Sequence, residues 1–175
     1  ENLDKYRAII LSLPLSLNHR ELDMLESYVA KGCTLISEAC PGRYDHFGFT
    51  RPGELAEDAE EIFGVEHRSV QLCHEPRQPP RWTPVERSYG EIRRATRFQG
   101  TGSFAGHSVL PSLYIETYTA KDSSPILLCE DEVVGVVNGI GRGRAYLIGT
   151  VLGHAHSAFG DEATSAFLLS VLDKA

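Results

Sequence analysis

Residues 6–40 have the sequence YRAIILSLPLSLNHRELDMLESYVAKGCTLISEAC and carry the local signals of a complete strand–helix–strand unit. Residues 7–13 form an almost unbroken apolar run that ends at Pro14, which favours a strand covered on both faces. Residues 33–38 are again rich in β-forming and apolar side chains. Two strands with one helix between them in so short a stretch require a right-handed crossover to a parallel neighbour. The stretch therefore predicts an α/β sheet.

The helix inside this unit has a marked beginning and end. Asn18 and Glu21 stand three residues apart, as in a capping box, and Gly32 is placed to end the helix in the left-handed conformation. The predicted core contains the apolar stripe of the helix and one residue from each strand: Leu22, Leu25, Val29, Ile10 and Ile36.

Further elements follow along the chain. They are a short helix over residues 53–63, strands over 66–73, 113–119 and 125–129, a hairpin formed by 133–137 and 145–149, and a last helix capped by Asp161. We expect the strands at 7–13, 33–38 and 144–149 to lie parallel, with the helices from Asn18 and Asp161 on the faces of the sheet. Residues 74–107 give no clear element and are expected to form an irregular insertion on the outside.

Composition limits the kind of protein. The 175 residues fit one domain, 1–175, and their net charge of −7 argues against a general nucleic-acid binder. No apolar run approaches the roughly 20 residues of a membrane helix. The four cysteines show neither metal-type spacing nor the density of a secreted disulfide scaffold, which predicts a reducing, cytoplasmic environment. Because the chain starts directly at a strand and without Met, we expect an excised or N-terminally truncated fragment.

Four segments together resemble the trimerisation domain of glycoside hydrolase family 42 (GH42) β-galactosidases. The segments are residues 3–11, 21–36, 60–66 and 138–150, the second including YVAKGCTLI at 28–36 and the last including GRGRAYLIGT at 141–150. The resemblance implies a flavodoxin-like, class I glutamine amidotransferase-like three-layer sandwich with a mostly parallel sheet and a C-terminal β-hairpin. It also implies a non-catalytic domain that forms a homotrimer beside a separate catalytic barrel, with no cofactor and no metal.

Cys40 is the candidate nucleophile, because Glu38-Ala39-Cys40-Pro41-Gly42 follows a strand as an amidotransferase nucleophile elbow does. The match is partial, since Glu38 stands where glycine is expected and an irregular loop follows. The His-Pro-Glu of amidotransferases would fall at residues 150–152, which read Thr-Val-Leu. A plain buried cysteine is the simpler interpretation, and a small amidotransferase-like enzyme is the alternative.

Other patterns each have a functional and a structural interpretation. His154 and His156, with Asp161 and Glu162 nearby, could hold zinc, but no third ligand is fixed by spacing. The run Cys73-His74-Glu75 is a weaker version of the same idea. Glycines 139, 141 and 143 could cradle phosphate, but a strand follows them, which favours a hairpin turn. The remaining candidate is a scattered basic stretch, Arg87, Arg93, Arg94 and Arg97, which could grip an acidic partner or form a solvated surface.

The position of any ligand follows from the geometry of parallel sheets, in which ligands bind beyond the carboxyl ends of the strands. Cys40, His46 and His154 follow such strand ends and are predicted to form the rim of one shallow cleft. The cleft would serve a ligand-binding domain or an enzyme. Tyr44 and Phe47 could instead fold into this space and fill it.

Overall fold

The computed structural model describes residues 3–45, 47–50, 57–74, 93, 94 and 96–174. Its strands are β1 (Ala8–Leu11), β2 (Thr34–Ser37), β3 (Val65–His74), β4 (Arg93–Arg94), β5 (Phe98–Gly100), β6 (Ser108–Val109), β7 (Tyr114–Ala120), β8 (Ser124–Cys129), β9 (Glu132–Ile140) and β10 (Gly143–Ile148). Its helices are α1 (His19–Ala30), α2 (Glu57–Phe63), α3 (Leu152–Phe159) and α4 (Glu162–Leu172). None of the helices in these ranges has the length and apolar character needed to cross a bilayer.

The parallel part of the sheet agrees with the sequence. β1 and β10 both pair in parallel with β2, so that Ile10 and Tyr146 flank Ile36. The hairpin of β9 and β10 also forms, and its turn passes through Gly141 at a φ of +58°. The glycine-rich segment is thus a turn between two strands, and the phosphate-loop interpretation is wrong.

The helix starts are capped as predicted. The Asn18 side chain accepts the N–H of Glu21 at 3.0 Å, and the Glu21 carboxylate accepts the N–H of Asn18 at 2.8 Å. At α4, the Asp161 carboxylate accepts the N–H of Thr164 at 2.9 Å. Each contact satisfies a backbone donor that the first turn of a helix leaves without an intrahelical partner.

The predicted fold class is wrong, because most strand pairs are antiparallel. β10–β9, β9–β8, β9–β7, β7–β3, β8–β5 and β5–β6 all pair antiparallel within one mixed sheet of ten strands in the described residues. A parallel neighbour needs a crossover of a dozen or more residues, whereas two residues separate β8 from β9 and two separate β9 from β10. The molecule is therefore a mixed, curled sheet and not a flavodoxin-like or amidotransferase-like sandwich.

Helices cover the sheet on both faces. α1 and α2 share one core cluster with Leu35 and Leu147, and α3 and α4 share the other with Ile36 and Tyr146. Of the predicted core residues, Leu22, Leu25, Val29 and Ile36 are buried. The prediction for Ile10 is wrong, since its side chain is 42% exposed. β1 is the end strand of the sheet order, and an end strand has a neighbour on one side only.

The expectation of an outer, irregular segment is wrong for residues 98–104. Phe98 in β5 is fully buried, and Phe104, in a short 3₁₀ turn over Gly102–Phe104, is also buried. Both side chains belong to the core cluster that α4 covers. Residues 75–92, which include Glu75 and Arg87 from the predicted sites, lie outside the described residues.

Candidate functional site at the carboxyl edge of the parallel strands

Glu38 connects the segments that leave the three parallel strands. Its carboxylate accepts the N–H of Leu13, just beyond β1, at 3.0 Å, and that of Gly153, in α3, at 2.9 Å. The side chain is buried, and burial raises the pKa of the Glu38 carboxyl, while the hydrogen bonds from Gly153, Leu13 and Leu152 oppose the rise. Glu38 therefore holds together the segments after β1, β2 and β10, at the edge of the sheet where the sequence predicted a cleft.

A second buried carboxylate, Glu116 in β7, lies next to this edge. Its Oε2 accepts the N–H of Cys40 at 2.7 Å and the hydroxyl of Tyr118 at 2.6 Å. Its Oε1 lies 3.3 Å from Nε2 of His67 in β3. Since Glu116 is only 1% exposed, these contacts replace its water shell. The carboxylate joins the loop after β2 to the antiparallel strands.

Tyr118 shows how closed this environment is. Burial raises the pKa of the Tyr118 hydroxyl well above its ordinary value, and the adjacent Glu116 carboxylate and Cys40 add to the rise. A hydroxyl in this setting donates a hydrogen bond and does not ionise near neutral pH. Tyr118 thus acts here as a fixed donor to Glu116.

Cys40 lies where a nucleophile would follow β2, but its surroundings do not suit catalysis. The residue is 1% exposed and has a φ of +63°. Its Sγ is 4.0 Å from Nη1 of Arg43, and the N–H of Arg43 donates to the Cys40 carbonyl at 3.3 Å. The chain thus turns after Cys40 and does not enter a helix. The backbone N–H of Cys40 donates to the buried Glu116 carboxylate.

His154 lies at the same edge, in the first turn of α3. Its Nδ1 is 2.6 Å from the Ser112 hydroxyl, and the Ser112 N–H donates to Oγ1 of Thr150 at 2.7 Å. Ser112 is fully buried, so its hydroxyl is not open to a substrate. The ring of His154 also packs edge-on against Phe159. These contacts hold the start of α3 against the segment before β7.

His156 and Asp161, two of the residues proposed for a metal, have other partners. Nδ1 of His156 is 2.7 Å from the Ser165 hydroxyl, and Asp161 forms an ion pair with Arg97. Burial acts to raise the pKa of Asp161, but hydrogen bonds from Arg97 and Thr164 outweigh it and hold the pKa below its ordinary value. Within the described ranges no group of three His, Cys, Asp or Glu side chains could hold a metal ion. Arg97, which belongs to the predicted basic stretch, is thus paired with a carboxylate of this chain.

The third rim candidate, His46, lies outside the described residues, but its neighbours define the loop. The Asp45 carboxylate accepts the N–H of Phe47 at 2.8 Å and that of Phe49 at 2.9 Å. The Phe47 side chain is 73% exposed and so does not fill the predicted cleft, whereas Tyr44 bridges to Ser16 and Thr50. A cleft shared by Cys40, His46 and His154 stays a prediction.

Sequence reasoning missed Glu116, His67 and Ser112. Glu116 carried one available signal, since it is a lone carboxylate between Ile115 and Thr117 in a predicted strand. A charged side chain in such a strand is either at a solvated face or paired in the interior. The choice depends on strands far away in sequence.

Alkylation of the native protein tests this description of Cys40. With iodoacetamide near neutral pH, we expect Cys33 to react before Cys40, because Cys33 is half-buried whereas Cys40 is buried. Reaction at a buried thiol slows about tenfold for each 1.4 kcal/mol of local opening that it requires. Peptide mass spectrometry over time gives the order. Fast and selective modification of Cys40 would support the enzyme alternative instead.

No protein-family model matches this chain, and no curated protein matches it in sequence. Solved structures do match. A GH42 β-galactosidase of G. stearothermophilus, Gan42B, superposes with a TM-score of 0.68 at 20% identity, over 97% of this chain and 22% of that chain. The fold is that of part of a GH42 β-galactosidase. The resemblance drawn from the sequence is confirmed at this level.

Two further structures extend the comparison. A β-galactosidase of Halorubrum lacusprofundi gives a TM-score of 0.67 at 17% identity, over 96% of this chain and 22% of that chain. A cytoplasmic protein of Salmonella typhimurium LT2 gives 0.63 at 16% identity, over 98% of this chain and 73% of that one. The chain thus spans about a fifth of the GH42 enzymes, and most of a much shorter protein. At these identities the likeness establishes the fold alone.

Proposed function

We propose that this chain is a non-catalytic assembly domain, of the trimerisation type, in a β-galactosidase-like, carbohydrate-active protein. The observation that carries the proposal is the coverage: nearly all of this chain matches one part, 22%, of the GH42 enzymes. In that family, as the resemblance implies, catalysis belongs to a separate barrel. We also infer a cytoplasmic location, where the Salmonella protein of the same fold is placed.

The buried polar groups support a structural role. Glu38 and Glu116 use their oxygens to accept N–H groups from distant segments, and Cys40 is buried. A general acid or nucleophile must instead reach a substrate within about 3 Å. The chemistry-bearing side chains at this edge therefore hold the fold together.

Light scattering of the purified chain tests the proposal. A homotrimer is expected across the micromolar range, with a mass three times that of the 19.3 kDa chain. Dilution should shift the mass by mass action if the trimer is reversible. A clean monomer at high micromolar concentration would remove the assembly role and leave the fold description intact.

A ligand-binding domain is the second candidate, and the Salmonella protein favours it. That protein shows this fold in a chain of which the present one covers 73%, so the fold also occurs without a large companion enzyme. Thermal unfolding with and without 10 mM galactose or lactose provides the test. A rise in Tm that His154→Ala abolishes would support binding at the predicted cleft. No shift with either sugar would count against it.

A further inference from the structure

The two faces of the sheet differ sharply in charge. Helices α1 (12 residues) and α2 (7 residues) cover one face and carry eight charged side chains. These are Arg20, Glu21, Asp23, Glu26, Glu57, Asp58, Glu60 and Glu61. Helices α3 (8 residues) and α4 (11 residues) cover the other face and carry one, Glu162. The two pairs of helices have the same total length, but the pair on one face of the sheet is highly charged and the pair on the other face is almost uncharged.

Two outer residues of α4 are also apolar, whereas α3 exposes the polar side chains of His156 and Ser157. Leu169 in α4 is 61% exposed, and Ala166, one turn earlier on the same side of the helix, is exposed as well. No charged residue occurs between Ala163 and Leu172. A helix that is apolar on its outer side as well as its inner side is typical of helices covered from both sides. Ile10 faces the same side of the sheet, since it pairs with Ile36 of this core cluster.

From this contrast we infer that the outer face of α3 and α4, which contains Ala166 and Leu169, is the surface through which copies of this chain associate. The inference rests on the proposed assembly role and identifies the surface that performs it. Interfaces between identical subunits are more apolar than the remaining surface and poor in charged residues at their centre. Of the two helical layers, only α3 and α4 are poor in charged residues.

The net charge explains why a second copy fits this surface. Each chain carries −7, and the exposed acidic side chains of α1 and α2, such as Glu21, Glu26 and Glu61, would repel a like-charged copy. Placing like charges against each other across an interface costs several kcal/mol. Around the threefold axis of the proposed trimer, the α3–α4 faces let acidic molecules meet with Glu162 as the one charge on these helices. A second copy is therefore the partner that this distribution favours.

Two charge insertions and one matched control test the inference. Leu169→Glu and Ala166→Arg each place a charge on the outer side of α4, at exposed positions where folding does not require an apolar residue. Met24→Glu is the control, because Met24 is 42% exposed on the charged helix α1. Equilibrium sedimentation of the three variants and the wild type gives the dissociation constant of the oligomer, and circular dichroism checks that each variant is folded.

We expect both α4 variants to raise the dissociation constant roughly a hundredfold or more, because a large charged side chain would be taken out of water at an apolar contact, and Met24→Glu to leave it within about threefold. If the wild type forms the oligomer and both Leu169→Glu and Ala166→Arg form it equally well, the surface assignment alone is overturned. Equal loss of assembly in Met24→Glu would overturn it too. A wild type that stays monomeric would overturn both this inference and the proposed function.

Discussion

Replacing Glu116 by alanine is expected to lower the free energy of unfolding by about 3–5 kcal/mol, the loss typical when one partner of a buried polar cluster is removed. The change leaves the Cys40 N–H and the Tyr118 hydroxyl buried without their acceptor, and removes the carboxylate beside His67. Urea unfolding measures the effect. Glu26→Ala, on the exposed side of α1, is the control and should change stability by less than about 0.5 kcal/mol.

A double-mutant cycle sharpens this test. Tyr118→Phe removes one hydrogen bond to Glu116 and should cost about 1–2 kcal/mol in the wild type. In the Glu116→Ala background the same change should cost less, because the acceptor is already gone. Additive losses, or a loss below about 1 kcal/mol for Glu116→Ala, would mean that the carboxylate does not fasten the two halves of the sheet.

Gly149→Ala should cost about 3 kcal/mol or more, or prevent folding. Gly149 lies between β9 and β7, where its N–H donates to the Val134 carbonyl at 2.8 Å and its carbonyl accepts the Glu116 N–H at 2.9 Å. An added Cβ would lie 2.2 Å from the Glu116 carbonyl oxygen and 2.9 Å from that of Val134. Both obstacles are backbone atoms, so the strands themselves must move apart. The cost in free energy is therefore larger than for ordinary overpacking of side chains.

Gly139→Ala provides the matched control for this prediction. Gly139 lies in β9, and a Cβ added there meets no atom within 4 Å. The substitution should be neutral within about 1 kcal/mol, because alanine also loses less backbone entropy on folding than glycine. Thermal unfolding of both variants gives the comparison. Similar Tm values for the two would contradict the role of close backbone approach at Gly149.

The sequence predicted those features that depend on neighbours in the chain. The capping box of Asn18 and Glu21, the end of α1 near Gly32 and the turn through Gly141 each rest on a few adjacent residues. The parallel pairing of β1 with β2 also followed, because α1 is a helical crossover and such a crossover allows one outcome.

The features that the sequence did not predict depend on distant parts of the chain. Ile10 has the composition of a core residue, but its strand lies at the end of the sheet order. The short links around β9 could have shown that this half is antiparallel, and the family resemblance outweighed that signal. Glu116 is buried because Cys40, 76 residues away, and Tyr118 supply donors to it. Such a partner is visible only when the strands are placed together.

The position of β2 between β1 and β10 has a consequence for synthesis on the ribosome. Thr34 of β2 pairs with Arg144 of β10, so β2 cannot pair on this side until about 110 more residues have been synthesised. At a synthesis rate of about 5–20 residues per second, that wait lasts roughly 5–22 s. Throughout this time the N–H and C=O groups on one edge of β2 have no strand partner, and unpaired strand edges recruit other chains. Newly made molecules are therefore most prone to aggregate before β10 emerges.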